Sequence, residues 1–161
     1  MFLSCEKAKT ACFSGHRVLS QKKIEKIVKR LNEEVERLIS LGVENFISGG
    51  AVGYDQICAS LIVTKKQQGA NIRLIFALPC RNQDEKWTDR QKELYRSLLS
   101  EADKTIYVSD NYTSDCMRKR NEFMVDNSAY CICALIKQAS GTGLTVSYAK
   151  KQGLEIVNVA K

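Results

Sequence analysis

Apolar positions along the chain alternate between two patterns, short continuous runs and helical stripes. The runs are Thr10–Phe13, Asn45–Ser48, Ile72–Leu78, Lys104–Ser109, Tyr130–Leu135 and Glu155–Val159. The last five are rich in Ile, Val, Tyr and Phe and nearly continuous in apolar character at their centres, which predicts a parallel sheet covered on both faces. Between the first two, Ile24, Ile27, Val28, Leu31, Val35, Leu38 and Ile39 recur at i, i+3, i+4 and i+7. That stripe predicts an amphipathic helix, with Ser20 placed to cap its start and Gly42 just past its end. Further helices are predicted over Tyr54–Gln68, stopped by Gly69; Asp84–Glu101, carrying Trp87, Leu94, Leu98 and Leu99; Ser114–Asn127; and Thr142–Gln152, stopped by Gly153. Strand–helix alternation from end to end predicts an α/β fold built on right-handed crossovers. The expectation is one Rossmann-like domain over residues 1–161, a doubly wound, mostly parallel sheet with helices on both faces. The single proline, Pro79, follows the third strand, where it removes no ladder bond.

Composition narrows this little. A chain of 161 residues with 44% hydrophobic and 27% charged residues is globular. Apolar runs stay far short of the ~20 residues that cross a bilayer. The start, Met1-Phe2-Leu3-Ser4-Cys5-Glu6-Lys7, lacks a basic region followed by a long apolar stretch, so no signal peptide is expected. The expected location is the cytoplasm, with no membrane partner. Seven cysteines (Cys5, Cys12, Cys58, Cys80, Cys116, Cys131 and Cys133) include no CxxC pair, and one histidine completes no zinc-ligand set. Most lie in apolar runs and read as reduced core residues, with no metal site expected. The net charge of +7 favours an anionic partner. Much of it falls on one helix face, Lys22, Lys23, Lys26, Lys29 and Arg30, which reads as solvated.

Ligands of open α/β sheets bind outside the carboxyl ends of the strands. Three polar, glycine-containing clusters fall there: Ser14-Gly15-His16-Arg17, Ser48-Gly49-Gly50-Ala51-Val52-Gly53-Tyr54-Asp55, and Ser140-Gly141-Thr142-Gly143. The last two each lead into a helix, whose first amides and positive dipole end suit an anion such as phosphate. Neither is a P-loop, because no Lys-Ser/Thr follows the glycines. Gly49, Gly50 and Gly53 either let a ligand approach the backbone or merely supply positive φ in a tight turn. Thr142 can cap the last helix and bond a phosphate. Arg120 shares a helical face with Met124 and Asn127, so an inward guanidinium is expected, matched by a carboxylate or a ligand phosphate. Asp55 either accepts from a ribose hydroxyl or caps its helix.

In this order the motifs resemble the YpsA-like family, within the SLOG superfamily of Rossmann-like nucleotide-binding domains. Its carriers also include Ala77-Leu78-Pro79-Cys80, Arg120-Asn121-Glu122-Phe123-Met124-Val125-Asp126 and Gly141-Thr142-Gly143. The resemblance covers roughly Thr10 to Val159. It implies a nucleotide-derived ligand at the strand ends and adds Gly15 and Asn121 to the candidate contacts. The same superfamily contains phosphoribohydrolases of the "Lonely guy" type and the DNA-processing protein DprA. The hydrolases carry P-G-G-x-G-T-x-x-E, whereas this chain reads Ala139-Ser140-Gly141-Thr142-Gly143-Leu144-Thr145, so Thr145 stands at the Glu position. Arg120 matches their arginine.

The expected function is therefore a sensor or sequestering module for a phosphorylated nucleotide or ADP-ribose-like ligand. Its contacts would be Gly15, His16, Arg17, Ser48, Gly49, Gly50, Gly53, Asp55, Arg120, Asn121, Gly141, Thr142 and Gly143. One alternative is an enzyme cleaving or transferring at an N-glycosidic bond, with Asp55 or Glu122 in place of the missing Glu. Another is a DprA-like single-stranded DNA binder, motivated by the charge.

Overall fold

A computed structural model describes residues 4–161, with side chains from residue 6 onward. The readings of the N-terminal start and of Cys5 lie outside the described residues. The chain runs through β1 (Thr10–Gly15), β2 (Asn45–Ser48), β3 (Arg73–Leu78), β4 (Lys104–Tyr107), β5 (Tyr130–Ala134) and β6 (Glu155–Asn158). These form one sheet in the order β4-β3-β2-β1-β5-β6, and every neighbouring pair is parallel. Among the described residues six helices accompany them: α1 (Ser4–Lys7), α2 (Gln21–Ser40), α3 (Tyr54–Gln67), α4 (Asp89–Ser100), α5 (Cys116–Asp126) and α6 (Gly141–Lys151).

Strand alternation sorts the core into two layers. Ala11, Phe13, Phe46, Leu74 and Phe76 point to one face, where they meet Leu31 and Val35 of α2, Ile62 of α3 and Leu98 of α4. Their sequence neighbours Cys12, Ile47 and Ile75 point to the other, against Met124 of α5 and Val146 of α6. Phe13 stacks on Phe46 at 6.0 Å and meets Tyr54 edge-on at 6.5 Å. The Tyr54 hydroxyl, fully buried, donates to the Ile132 carbonyl at 3.0 Å. Cys12, Cys58, Cys80, Cys116, Cys131 and Cys133 are all buried and unbridged. No helix among the described residues is long and apolar enough to cross a membrane.

Three local expectations are corrected. The third long helix starts at Asp89 rather than Asp84, because Thr88 and Gln91 form a reciprocal capping box there. Residues Asn82–Trp87 make turns instead, and Trp87 packs edge-on against Tyr95 at 4.9 Å. The cap of α6 is Ser140, whose hydroxyl accepts from the Gly143 amide at 3.0 Å, so Thr142 is released from that role. Ser20 occupies the start of α2 but makes no side-chain cap bond.

Candidate functional site

The strand order reverses direction at β1. From β1 the chain turns to the face carrying α2, whereas from its neighbour β5 it turns to the face carrying α6. A crevice must open between those two departures. It is there: a cavity of about 300 Å³, floored by Phe13 and Ser14, with α5 and the start of α6 as its walls. That volume is at the small end of ligand pockets.

Eight of the expected contacts line it: Gly15, His16, Arg17, Asp55, Arg120, Asn121, Gly141 and Thr142. The sequence reading did not count Phe13, Ser14, Ala51, Met117 or Met124 among the contacts. Met117 and Met124 sit three before and four after Arg120, on its helical face, and that spacing was the available signal.

Arg120 is 4% exposed. Its Nη1 donates to the Gly49 carbonyl at 2.6 Å and its Nε to Asn121 Oδ1 at 2.8 Å. Among the described residues no carboxylate oxygen comes within 4.0 Å of it. Asp55, 7% exposed, stands nearby without forming an ion pair. Gly49 separates the two. A methyl group on its Cα would fall 2.5 Å from Arg120 Nη1 and 2.8 Å from Asp55 Oδ2, so only glycine admits both groups. Burial pushes the Asp55 carboxyl up to about 6, although Arg120, the Ala51 amide and Arg17 all favour its charged form. Burial likewise pulls the Arg120 guanidinium down, against the support of Asp55.

The glycine-rich turn after β2 is thus a socket of carbonyls for protein groups. The Gly49 carbonyl accepts from Arg120, and the Gly50 carbonyl accepts from Gln56 Nε2 at 3.2 Å. Ser48 ties the turn together, donating to the Asp55 carbonyl at 2.9 Å and accepting from the Gly50 amide at 3.2 Å. Gly50, at φ +69°, faces Leu78 and Tyr95 in the core and not the cavity. Gly53 lies against the backbone of Arg17, which puts Arg17 at the crevice rim as expected. Gly143 packs on Gln138 and its amide is taken by Ser140. Ser48, Gly49, Gly50, Gly53 and Gly143 therefore shape the crevice from behind its lining.

His16 is half-buried, and its Nε2 accepts from the amides of Ile136 and Lys137 at 3.0 and 3.3 Å. Two donors on one nitrogen require the neutral ring, and burial with Lys137 and Lys23 nearby lowers its pKa accordingly. The ring anchors the loop that leads into α6. Glu122 does not line the cavity; it pairs with Arg118 at 3.1 Å on the outer side of α5. Thr145 spends its hydroxyl on the Gly141 carbonyl at 3.0 Å. Among the described residues no group of three or more His, Cys, Asp or Glu side chains is placed to hold a metal ion.

An all-parallel sheet with a polar crevice at its switch point makes this a Rossmann-like α/β domain of the kind that takes ligands at its strand ends. The chain belongs to the YspA SLOG family (YpsA), matching it over residues 15–155. It is 33% identical over 141 residues to the SPbeta prophage-derived protein YoqJ of Bacillus subtilis, covering 78% of this chain and 81% of YoqJ. It is 25% identical over 104 residues to a UPF0398 protein of Brevibacillus brevis, covering 63% of this chain and 55% of that one. The chain thus spans about half the length of that second relative. Among solved structures, DprA of Streptococcus pneumoniae superposes with a TM-score of 0.67 at 15% identity, over 94% of this chain and 50% of that one. DprA of Helicobacter pylori, described for its single-stranded DNA binding mode, gives 0.66 at 15% identity, over 94% and 65%. At such identities the likeness is one of fold.

Proposed function

We propose that this protein binds a small phosphorylated nucleotide derivative, a mononucleotide or ADP-ribose-like species, in the switch-point crevice, as a cytoplasmic sensor or sequestering module. The observation that carries this reading is the buried pair Arg120 and Asp55, which face one cavity without neutralising each other. A buried guanidinium without an ion-pair partner is strongly disfavoured unless something anionic joins it. Of its five N–H groups, two go to Gly49 and Asn121, which fix its plane, and one reaches Met117 Sδ at 3.6 Å, leaving two donors for a phosphate. The amides of Gly141 and Thr142, at the positive end of α6, and Arg17 at the rim complete an anion site. Asp55 then accepts from a ribose hydroxyl.

Calorimetric titration of AMP, ADP-ribose and ribose 5-phosphate tests this. Arg120→Lys and Arg120→Ala should both weaken binding by about 1.5–3 kcal/mol, because lysine cannot reproduce a planar two-pronged grip. If Arg120→Ala unfolds the chain while Arg120→Lys binds as wild type, Arg120 is a structural residue and the site reading fails.

One observation favours a second reading, cleavage at an N-glycosidic bond. A carboxyl pushed up to about 6 beside a ligand cavity suits proton transfer near neutral pH. Glu122, outside the cavity, drops out of that role. Release of free base from nucleoside monophosphates, abolished by Asp55→Asn, would select the enzyme; tight binding without turnover selects the sensor. Single-stranded DNA as partner rests on the +7 charge and the fold it shares with DprA, and predicts affinity that falls steeply with salt.

A further inference from the structure

The Arg120 crevice has a neighbour. Beside it, across Met117, Asn121 and Gly141, a groove of about 510 Å³ lies between α5 and α6, and those three residues line both spaces. The two lobes differ in chemistry. The first holds the buried charges and the start of α6. The second is walled by Met117, Leu144 and Tyr148, with Arg118, Glu122 and Lys151 at its margin. Leu144 projects into solvent at 76% exposure, although it sits one turn from the start of a well-packed helix. Tyr148 is held in place by its hydroxyl, which donates to Asp126 Oδ1 at 2.7 Å.

Resting on the nucleotide reading above, we infer that the α5–α6 groove is the base subsite: the phosphate lies by Arg120 and a heteroaromatic ring lies against Met117 and Leu144. The three residues common to both linings carry the assignment, because they put the groove directly beside the Arg120 cavity, within reach of a ligand that extends past Asn121. A thioether and a branched aliphatic side chain present the polarizable, apolar contact that a flat ring takes up. Asn121 stands at the junction with its Oδ1 committed to Arg120 Nε, so its amide N–H groups are the ones offered to a ring nitrogen or carbonyl.

The test compares ribose 5-phosphate, AMP and ADP-ribose on the wild type, Leu144→Ser and Arg120→Ala. Leu144 is exposed, so its replacement leaves the fold intact. AMP and ADP-ribose should bind the wild type more tightly than ribose 5-phosphate. Leu144→Ser should weaken both by about tenfold, the scale of one partly covered leucine, and leave ribose 5-phosphate within about twofold. The groove assignment is overturned if AMP binds no better than ribose 5-phosphate, or if Leu144→Ser affects all three alike or none. In those cases sensitivity of ribose 5-phosphate to Arg120→Ala still upholds the phosphate site. If none of the three binds the wild type, the nucleotide reading falls and the base subsite with it.

Discussion

Replacing Asp55 with Asn should stabilise the ligand-free protein at neutral pH. The carboxyl is buried at the start of α3 and pushed up to about 6 from an ordinary 3.8, chiefly by loss of hydration. The folded state therefore holds a proton between those two values that the unfolded chain has released. Stability from this group is fully present below pH 3.8, declines as pH rises through about 6, and is absent above it. The gap between about 6 and 3.8 corresponds to ~3 kcal/mol at about 1.4 kcal/mol per pH unit. A carboxamide has no charge to desolvate, and its oxygen can still accept from the Ala51 amide that now bonds the carboxylate. Urea unfolding of both proteins from pH 4 to 8 isolates the effect, since all other titrating groups are common to them. Asp55→Asn should be more stable by up to ~3 kcal/mol at pH 7.5, with the advantage closing towards pH 4. For a chain of this length 1 kcal/mol is about 2–4 °C in Tm, so thermal melts resolve it as well. A variant less stable than wild type at pH 7.5, or a gap that ignores pH, would refute the reasoning and make the carboxylate a structural partner of Arg120.

Two further outcomes follow from packing. Gly50→Val should destabilise the fold rather than silence the site selectively, because Gly50 sits at φ +69° and even a first side-chain carbon would meet Leu78 Cδ2 at 3.0 Å and Tyr95 Cε1 at 3.1 Å; a native melting temperature for this variant would refute that. Cys12, Cys131 and Cys133 lie within the sheet at 1% exposure or less, so mass-resolved alkylation should label them only after unfolding, and rapid labelling in native buffer would count against the strand assignment.

The fold was largely legible because its signals are local and repeated. Continuous apolar runs require two covered faces, and Phe13, Phe46 and Phe76 alternating with Cys12, Ile47 and Ile75 meet that requirement by pointing to opposite layers. Helix stops at Gly42, Gly69 and Gly153, all at positive φ, follow from the same local chemistry. The start of α4 was misplaced because Asp84 begins a convincing polar–apolar rhythm, while the capping box that sets the boundary lies at Thr88 and Gln91. The crevice was legible as an edge of the sheet, and Arg120 as an inward residue. What each glycine does there was not legible, since composition does not say which way a turn faces. Gly49 and Gly50 are adjacent, yet one borders Arg120 and Asp55 and the other is pressed into Leu78, Tyr95 and Phe76.

That difference moves the proposed anion site. Along the chain, the turn after β2 is the glycine-rich one and reads as a cradle of amides for phosphate. In three dimensions its carbonyls at Gly49 and Gly50 face protein donors, and the Gly50 amide is spent on Ser48. A carbonyl beside a phosphate is repulsive, so the turn serves an anion only through the guanidinium it holds. Gly141 and Thr142 present amides at the start of α6, where Ser140 has taken the cap and left Thr142 facing the cavity. The two glycine clusters thus do different work: one seats the positive charge, and the other offers the helix end across from it. Holding Arg120 and Asp55 apart in the dry interior is unfavourable for the empty protein, and under the proposed reading an anionic, hydroxyl-bearing ligand relieves that cost by completing the arrangement.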